Sequence, residues 1–232
     1  MKEELVNVFD KKIYVDVDEW RGNRVKQLNG TQGNKIEALK AIIKTEPIDM
    51  FLDIGANYGE FAVSLADFNI PTVCFEPNPV CLKMLNKTFK DIDNVKIIEG
   101  AAGLSNEFKS FFYSKNYSGG GSFGKEVIQT CPDSKGEVDE ISTQVYRIDD
   151  FIINNYNPIP KNILLKIDVE GFEDEVFEGC KNLLNQVKWK ALVEVNPRAI
   201  SKAKKNWNIN NFIRDFNAKI YKDLREDIII GN

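Results

Sequence analysis

A chain of 232 residues and 26.4 kDa can bury a full hydrophobic core without disulfides or a structural metal. With 43% hydrophobic and 28% charged residues it is a folded chain, and a formal charge of -4 gives no support to a general binder of nucleic-acid backbones. The histidine count is zero, which removes Ser-His-Asp and Cys-His triads, His-ligated zinc and an imidazole base.

In chain order, residues 1–46 read as a polar cap belonging to the same unit as the main domain, 47–232. The opening MKEELVNVFDKK lacks the apolar stretch of a secretory signal, and no run approaches the roughly 18 apolar residues of a membrane span. Cys74, Cys81, Cys131 and Cys180 form no C-x-x-C pair. Together these features predict a reducing, cytoplasmic setting. Lys12 to Val17 alternates like a strand, and Trp20 to Arg24 reads as loop. Ile36, Leu39 and Ile43 predict an amphipathic helix over 34–44, stopped by Pro47.

From Ile48 onward strands and helices alternate. Apolar runs at 48–53, 71–76, 95–98, 163–169 and 189–195 predict strands. Helices are expected over 59–68, after Pro79 and over 210–216, with a terminal hairpin of 218–221 and 227–230. Short, nearly continuous apolar strands separated by helices predict an α/β, doubly wound, mostly parallel sheet covered on both faces. Ligands in such sheets sit beyond the carboxyl ends of the strands. The stretch 106–146 is less regular. Its Ser118-Gly119-Gly120-Gly121-Ser122 run is expected to be a mobile lid.

The segment Asp53-Ile54-Gly55-Ala56-Asn57-Tyr58-Gly59 precedes a helix. Its glycines permit a tight turn and close approach of backbone to a ligand. The spacing is not that of a dinucleotide fingerprint, and Asp53 disfavours a pyrophosphate while suiting a cofactor with an ammonium group. Glu76 ends the next strand, followed by Pro77, and lies 21 residues after Gly55, where an acid can accept from a ribose diol. Ala101, after the third strand, leaves room for a flat ring.

A second segment is Lys166-Ile167-Asp168-Val169-Glu170-Gly171-Phe172-Glu173. Lys166 inside an apolar strand needs a charged partner, because an unpaired buried charge costs several kcal/mol. Asp168, Glu170 and Glu173 cluster at the carboxyl end of that strand, as helix-start acids or an active-site set. Glu194, within Leu-Val-Glu-Val, is a further acid inside a strand. It either pairs with Lys166 or joins the same site.

These segments, in this order, resemble the FkbM family of S-adenosylmethionine-dependent methyltransferases. Arg147-Ile148-Asp149-Asp150-Phe151 adds to the likeness, which runs from about Ile48 to Gly231. The resemblance implies a seven-stranded, Rossmann-like class I methyltransferase sheet with a final reversed strand. It also implies S-adenosylmethionine as cofactor and O-methylation of a sugar or other small polar metabolite. Asp53, Gly55, Asn57 and Gly59 would cradle the methionine part, Glu76 would bind the ribose, and Ala101 would border the adenine. Asp168 and Glu170 would face the acceptor.

Methyl transfer to a hydroxyl needs alignment and a proton acceptor. With histidine absent, Asp168 is the expected base, with Glu170 or Glu194 orienting and Lys166 tuning the charge. Magnesium on these carboxylates is compatible with the residue types but not required. A nucleic-acid or protein acceptor would want a basic face, for which Arg198, Lys202, Lys204 and Lys205 are the modest candidate. A non-catalytic binding module is the remaining alternative.

Overall fold

The computed structural model describes residues 1–224 and 226–232. The strands are β1 (Glu3–Val8), β2 (Lys11–Asp16), β3 (Met50–Ile54), β4 (Thr72–Glu76), β5 (Val95–Glu99), β6 (Ala101–Gly103), β7 (Glu107–Tyr113), β8 (Asp139–Arg147), β9 (Asn162–Ile167), β10 (Lys188–Glu194), β11 (Lys219–Asp223) and β12 (Asp227–Gly231). The helices are α1 (Trp20–Leu28), α2 (Gly33–Thr45), α3 (Glu60–Leu65), α4 (Pro79–Thr88), α5 (Lys125–Gln129), α6 (Ile148–Asn155), α7 (Glu173–Gly179), α8 (Lys181–Leu184), α9 (Pro197–Lys202) and α10 (Ile209–Asp215).

Among the described residues, seven strands form the main sheet in the order β11-β12-β10-β9-β3-β4-β5. β10, β9, β3, β4 and β5 pair in parallel, and β12 runs antiparallel to both of its neighbours. The terminal hairpin therefore inserts its last strand against β10 and leaves β11 at the edge. The sheet separates two cores by strand alternation. Leu52, Ile54, Phe75, Leu165, Ile167 and Val193 face Val176, Phe177 and Phe212. Phe51, Leu164, Leu192 and Ile229 face Ile36, Leu39 and Phe61.

The N-terminal segment holds more structure than its polarity suggests. β1 pairs with β2, and Val6, Val8, Ile13 and Val15 pack against Val63, Cys81, Met84 and Leu85. Residues 20–24, expected as loop, belong to α1. Gly22 and Asn23 are weak helix formers, but the Glu19 carboxylate caps the first turn and Asn29, in the left-handed region, ends the helix. Beyond β5, a three-stranded sheet of order β6-β8-β7 carries the chain over the carboxyl end of the main sheet.

Gly55 fixes how closely β3 and β9 approach. It has φ +76°, and a Cβ there would lie 2.0 Å from the Asp168 carbonyl oxygen. Gly55→Ala adds left-handed strain to a clash with backbone, so it should destabilise the chain by at least about 1–3 kcal/mol. Urea unfolding at equilibrium measures this loss.

Candidate active site

β3 lies between β4 and β9, so the order of strands reverses on either side of it. The loops leaving β3 and its neighbours diverge there and open a crevice beyond their carboxyl ends. An open cleft of roughly 1100 Å³ occupies that crevice. Gly55, Asn57, Glu76, Pro77, Ala101, Lys166, Asp168, Glu170 and Glu194 all line it. Asp53 and Gly59 do not. Asp53 has no exposed surface and lies beneath the floor, where it meets Lys166 instead of a ligand. Gly59 starts α3 at φ +83° and packs against Phe89 and Leu85.

At one end of the cleft, Glu76 accepts from the Asn57 amide at 2.7 Å and the Asn78 amide at 2.8 Å. Burial pushes its carboxyl up to about 7, even though both amide bonds favour the charged form. The Asn78 side-chain nitrogen is buried with no hydrogen-bond partner among the described residues, and Asn78 lines the cleft. A carboxylate acceptor beside an unused donor, with Ala101 and Ala102 opposite, suits a nucleoside with its ribose hydroxyls on Glu76.

The other end is acidic. Asp168 follows β9 directly, and Glu194 ends the neighbouring β10. Single carboxylate oxygens of Asp168, Glu170 and Glu194 all lie within 4.8 Å of one another. Burial, then the charge of Asp168, raises the Glu170 and Glu194 carboxyls well above the usual range. Among the described residues, Glu194 Oε2 is buried without a hydrogen-bond partner. These three side chains are of the type that holds a hard divalent cation.

Of the two arrangements expected for Glu194, the second holds: it joins the carboxylates of the site, and Lys166 pairs with other acids. The Lys166 Nζ lies 3.7 Å from Asp53 and 3.8 Å from Asp168, and it donates to the carbonyls of Ile54 and Gly55. Burial works to lower the Lys166 pKa, but the charges of Asp168, Asp53, Glu76 and Glu194 outweigh it, and the value is raised. The ammonium thus stays charged under the loop that follows β3.

The Ser118–Ser122 stretch is a wall, not a loose flap. Ser118 donates from its amide and hydroxyl to Glu19, at 2.9 and 3.2 Å. Ser122 exchanges backbone bonds with Phe112 and donates from its hydroxyl to the Glu170 carbonyl at 3.0 Å. Tyr58 is buried with its hydroxyl on Glu19 at 2.7 Å, while Trp20 is exposed and meets Tyr117 edge-on. Two of the four basic candidates outside the cleft are matched by acids: Lys204 pairs with Glu126, and Lys205 with Asp174 and Glu175. Sequence reasoning missed Arg21 and Lys35 as cleft residues. Both come from the N-terminal cap, where no local pattern links them to the cleft, and both are paired, with Glu60 at 2.8 Å and Asp227 at 2.7 Å.

Glu173 sits outside the cleft and braces its floor. Its Oε1 accepts from the amides of Val169 and Gly171, and burial pushes its carboxyl up to about 7. A carboxyl raised from 4.5 holds its proton in the folded chain after the unfolded chain has released it. Its stabilising contribution is complete below about pH 4.5 and is lost as pH rises through about 7. Glu173→Gln keeps the accepting oxygen and removes the titration. Urea unfolding from pH 5 to 8 should therefore show a smaller loss of stability for the variant than for the native chain.

A family model described as the methyltransferase FkbM domain matches residues 53–220. A hexuronic acid methyltransferase, AglP, of Haloferax volcanii is 26% identical over 217 residues, covering 90% of this chain and 79% of that protein. The crystal structure of methyltransferase FkbM from Methylobacillus flagellatus aligns with a TM-score of 0.51 at 15% identity, over 80% of this chain. This chain spans only 44% of that protein's length. A Pyrococcus abyssi tRNA (uracil-54, C5)-methyltransferase, solved with S-adenosyl-L-homocysteine, aligns with a TM-score of 0.50 at 9% identity, over 100% of this chain and 44% of its own. These two structures share the class I methyltransferase fold with this chain. With most of its length matched by the family model, the chain belongs to the FkbM methyltransferases.

Proposed function

We propose that the chain transfers a methyl group from S-adenosylmethionine to a hydroxyl of a sugar or other small polar metabolite. The observation that carries this reading is the convergence, in one switch-point crevice, of Glu76 with the Asp168, Glu170 and Glu194 carboxylates. The name of the Haloferax volcanii relative, a hexuronic acid methyltransferase, supports a sugar acceptor. The pairing of Lys204 and Lys205 with acids weighs against a nucleic-acid acceptor, which needs unmatched cations for its phosphates.

Bound S-adenosylmethionine supplies an electrophilic methyl on a sulfonium. Glu76 and Asn78 hold the nucleoside, and Lys166 keeps the loop after β3 in place through the carbonyls of Ile54 and Gly55. Asp168 accepts the proton of the attacking hydroxyl. Glu170 and Glu194, raised by burial, retain protons with which they donate to the acceptor's other oxygens. Phe111, Phe123 and the Ser118–Ser122 wall exclude water from the acceptor side.

The 4.8 Å grouping of the three carboxylates favours one second reading. In it, Asp168, Glu170 and Glu194 would hold a divalent cation, which would supply Lewis acidity toward the acceptor hydroxyl.

Two variants test the site. Glu76→Ala removes a charged acceptor and should weaken binding of S-adenosylhomocysteine about 10- to 150-fold, read by calorimetry. Asp168→Asn should lower single-turnover methyl transfer to uronic-acid and neutral sugar acceptors roughly 10²- to 10⁴-fold and leave cofactor affinity nearly unchanged. Near-native turnover would remove Asp168 from the base role. Activity lost with EDTA and restored by magnesium would favour the cation reading.

A further inference from the structure

Glu19 is buried, at 2% exposure, with no ion pair among the described residues. Its carboxylate collects five donors from three separate segments. The amides of Arg21, at 2.9 Å, and Gly22 belong to the first turn of α1 and account for ordinary helix capping. The remaining three do not. They are the Tyr58 hydroxyl at 2.7 Å, from the loop after β3, and the amide and hydroxyl of Ser118, at 2.9 and 3.2 Å.

The bonds continue inward from Ser118. Its carbonyl accepts from the Asn57 side chain at 3.0 Å. Asn57 has φ +52°, a left-handed conformation that needs support, and its Oδ1 accepts from the Tyr58 amide at 2.9 Å. The Asn57 amide then donates to Glu76 Oε2 at 2.7 Å. An unbroken path of hydrogen bonds thus runs from the N-terminal segment, through the cleft wall, to the carboxylate at the nucleoside end. A second tie runs beside it, where the Trp20 amide donates to the Asn116 carbonyl at 3.0 Å and the Trp20 and Tyr117 rings meet edge to face at 5.4 Å.

We propose that Glu19 is a positioning residue for the cofactor, acting through Ser118 and Asn57 on Glu76. The N-terminal segment is then a working part of the cofactor site as well as a cover for the sheet. The inference rests on the reading of Glu76 as a ribose ligand. A carboxylate is required because all five groups it meets can donate, and an amide in its place turns a donor toward donors. With the carboxylate in place, the wall and the Asn57 amide are set before the cofactor arrives, so binding pays little ordering cost.

The test uses the full chain and S-adenosylhomocysteine as the probe. Glu19→Gln should weaken calorimetric binding about tenfold, the loss of one hydrogen bond to a charged group. In steady-state methyl transfer the cofactor KM should rise by a similar factor, with kcat at saturating cofactor within about threefold of native, because no reacting atom is touched. Val15→Ala serves as the control. Val15 is fully buried in the same segment and its aliphatic side chain forms none of the hydrogen bonds on this path, so its variant should lose stability and keep native affinity. If Glu19→Gln fails to fold, Ser118→Ala removes one of the five bonds and should weaken binding about threefold, within the range of a single neutral hydrogen bond. Affinity within error of native for Glu19→Gln or, failing that, Ser118→Ala would overturn the proposal. So would an equal loss of affinity in Val15→Ala, which would make the effect one of general stability. A native chain that takes no S-adenosylhomocysteine would instead overturn the cofactor reading itself.

Discussion

An ammonium buried in a β-sheet sets the terms for everything around it. Lys166 is 4% exposed in a strand otherwise made of Ile, Leu and Asn. Taking one charge out of water costs several kcal/mol unless partners offset it. β9 and β3 lie in parallel register with Lys166 opposite Asp53, so the first partner is supplied by strand pairing alone. The Ile54 and Gly55 carbonyls complete the shell, and both belong to the turn that forms the cleft floor. One cation therefore fastens two central strands, holds a tight turn, and leaves positive charge beneath a crowd of acids.

That crowd is the other half of the balance. Asp53, Glu76, Asp168, Glu170 and Glu194 all lie on or under one crevice, and Lys166 is the cation buried among them. Arg21 and Lys35 line the same cleft but are engaged by Glu60 and Asp227. The surplus of acid shows in the titration of the site: burial raises the Glu76, Glu170 and Glu194 carboxyls together. In a site without imidazole, that shift moves carboxyl groups out of their ordinary range in the direction that suits proton transfer to and from an acceptor.

Much of this was legible in the sequence. The apolar runs ending in Asp53, Glu76, Asp168 and Glu194 announce parallel strands, and acids at strand ends announce a ligand face. The positions of Asp53 and Glu19 were not legible, for different reasons. Strand alternation places Asp53 on the same face as Lys166, below the cleft, but that face is defined only once the register of β3 and β9 is known. Glu19 sits in a polar stretch with no period, and the donors that tie it to the cleft lie 39 and 99 positions away in the chain. Local pattern carries no information about contacts of that span. The glycine run misled for a related reason: composition signals flexibility, while Ser118 and Ser122, flanking it, are fastened by groups elsewhere.

The insertion of β12 between β10 and β11 has a consequence for how the chain is made. β10 is the strand that ends in Glu194, and its outer edge stays unpaired until α9, α10, β11 and finally β12 have been synthesised. At roughly 5–20 residues per second that interval is on the order of seconds, long against the microseconds of hairpin closure. Until β12 pairs with it, β10 presents a row of unpaired N–H and C=O groups of the kind that recruits strands from other chains. The same late strand carries Asp227, which receives Lys35 from α2 at 2.7 Å. One late strand thus both covers the outer edge of β10 and brings Asp227 to Lys35 of α2.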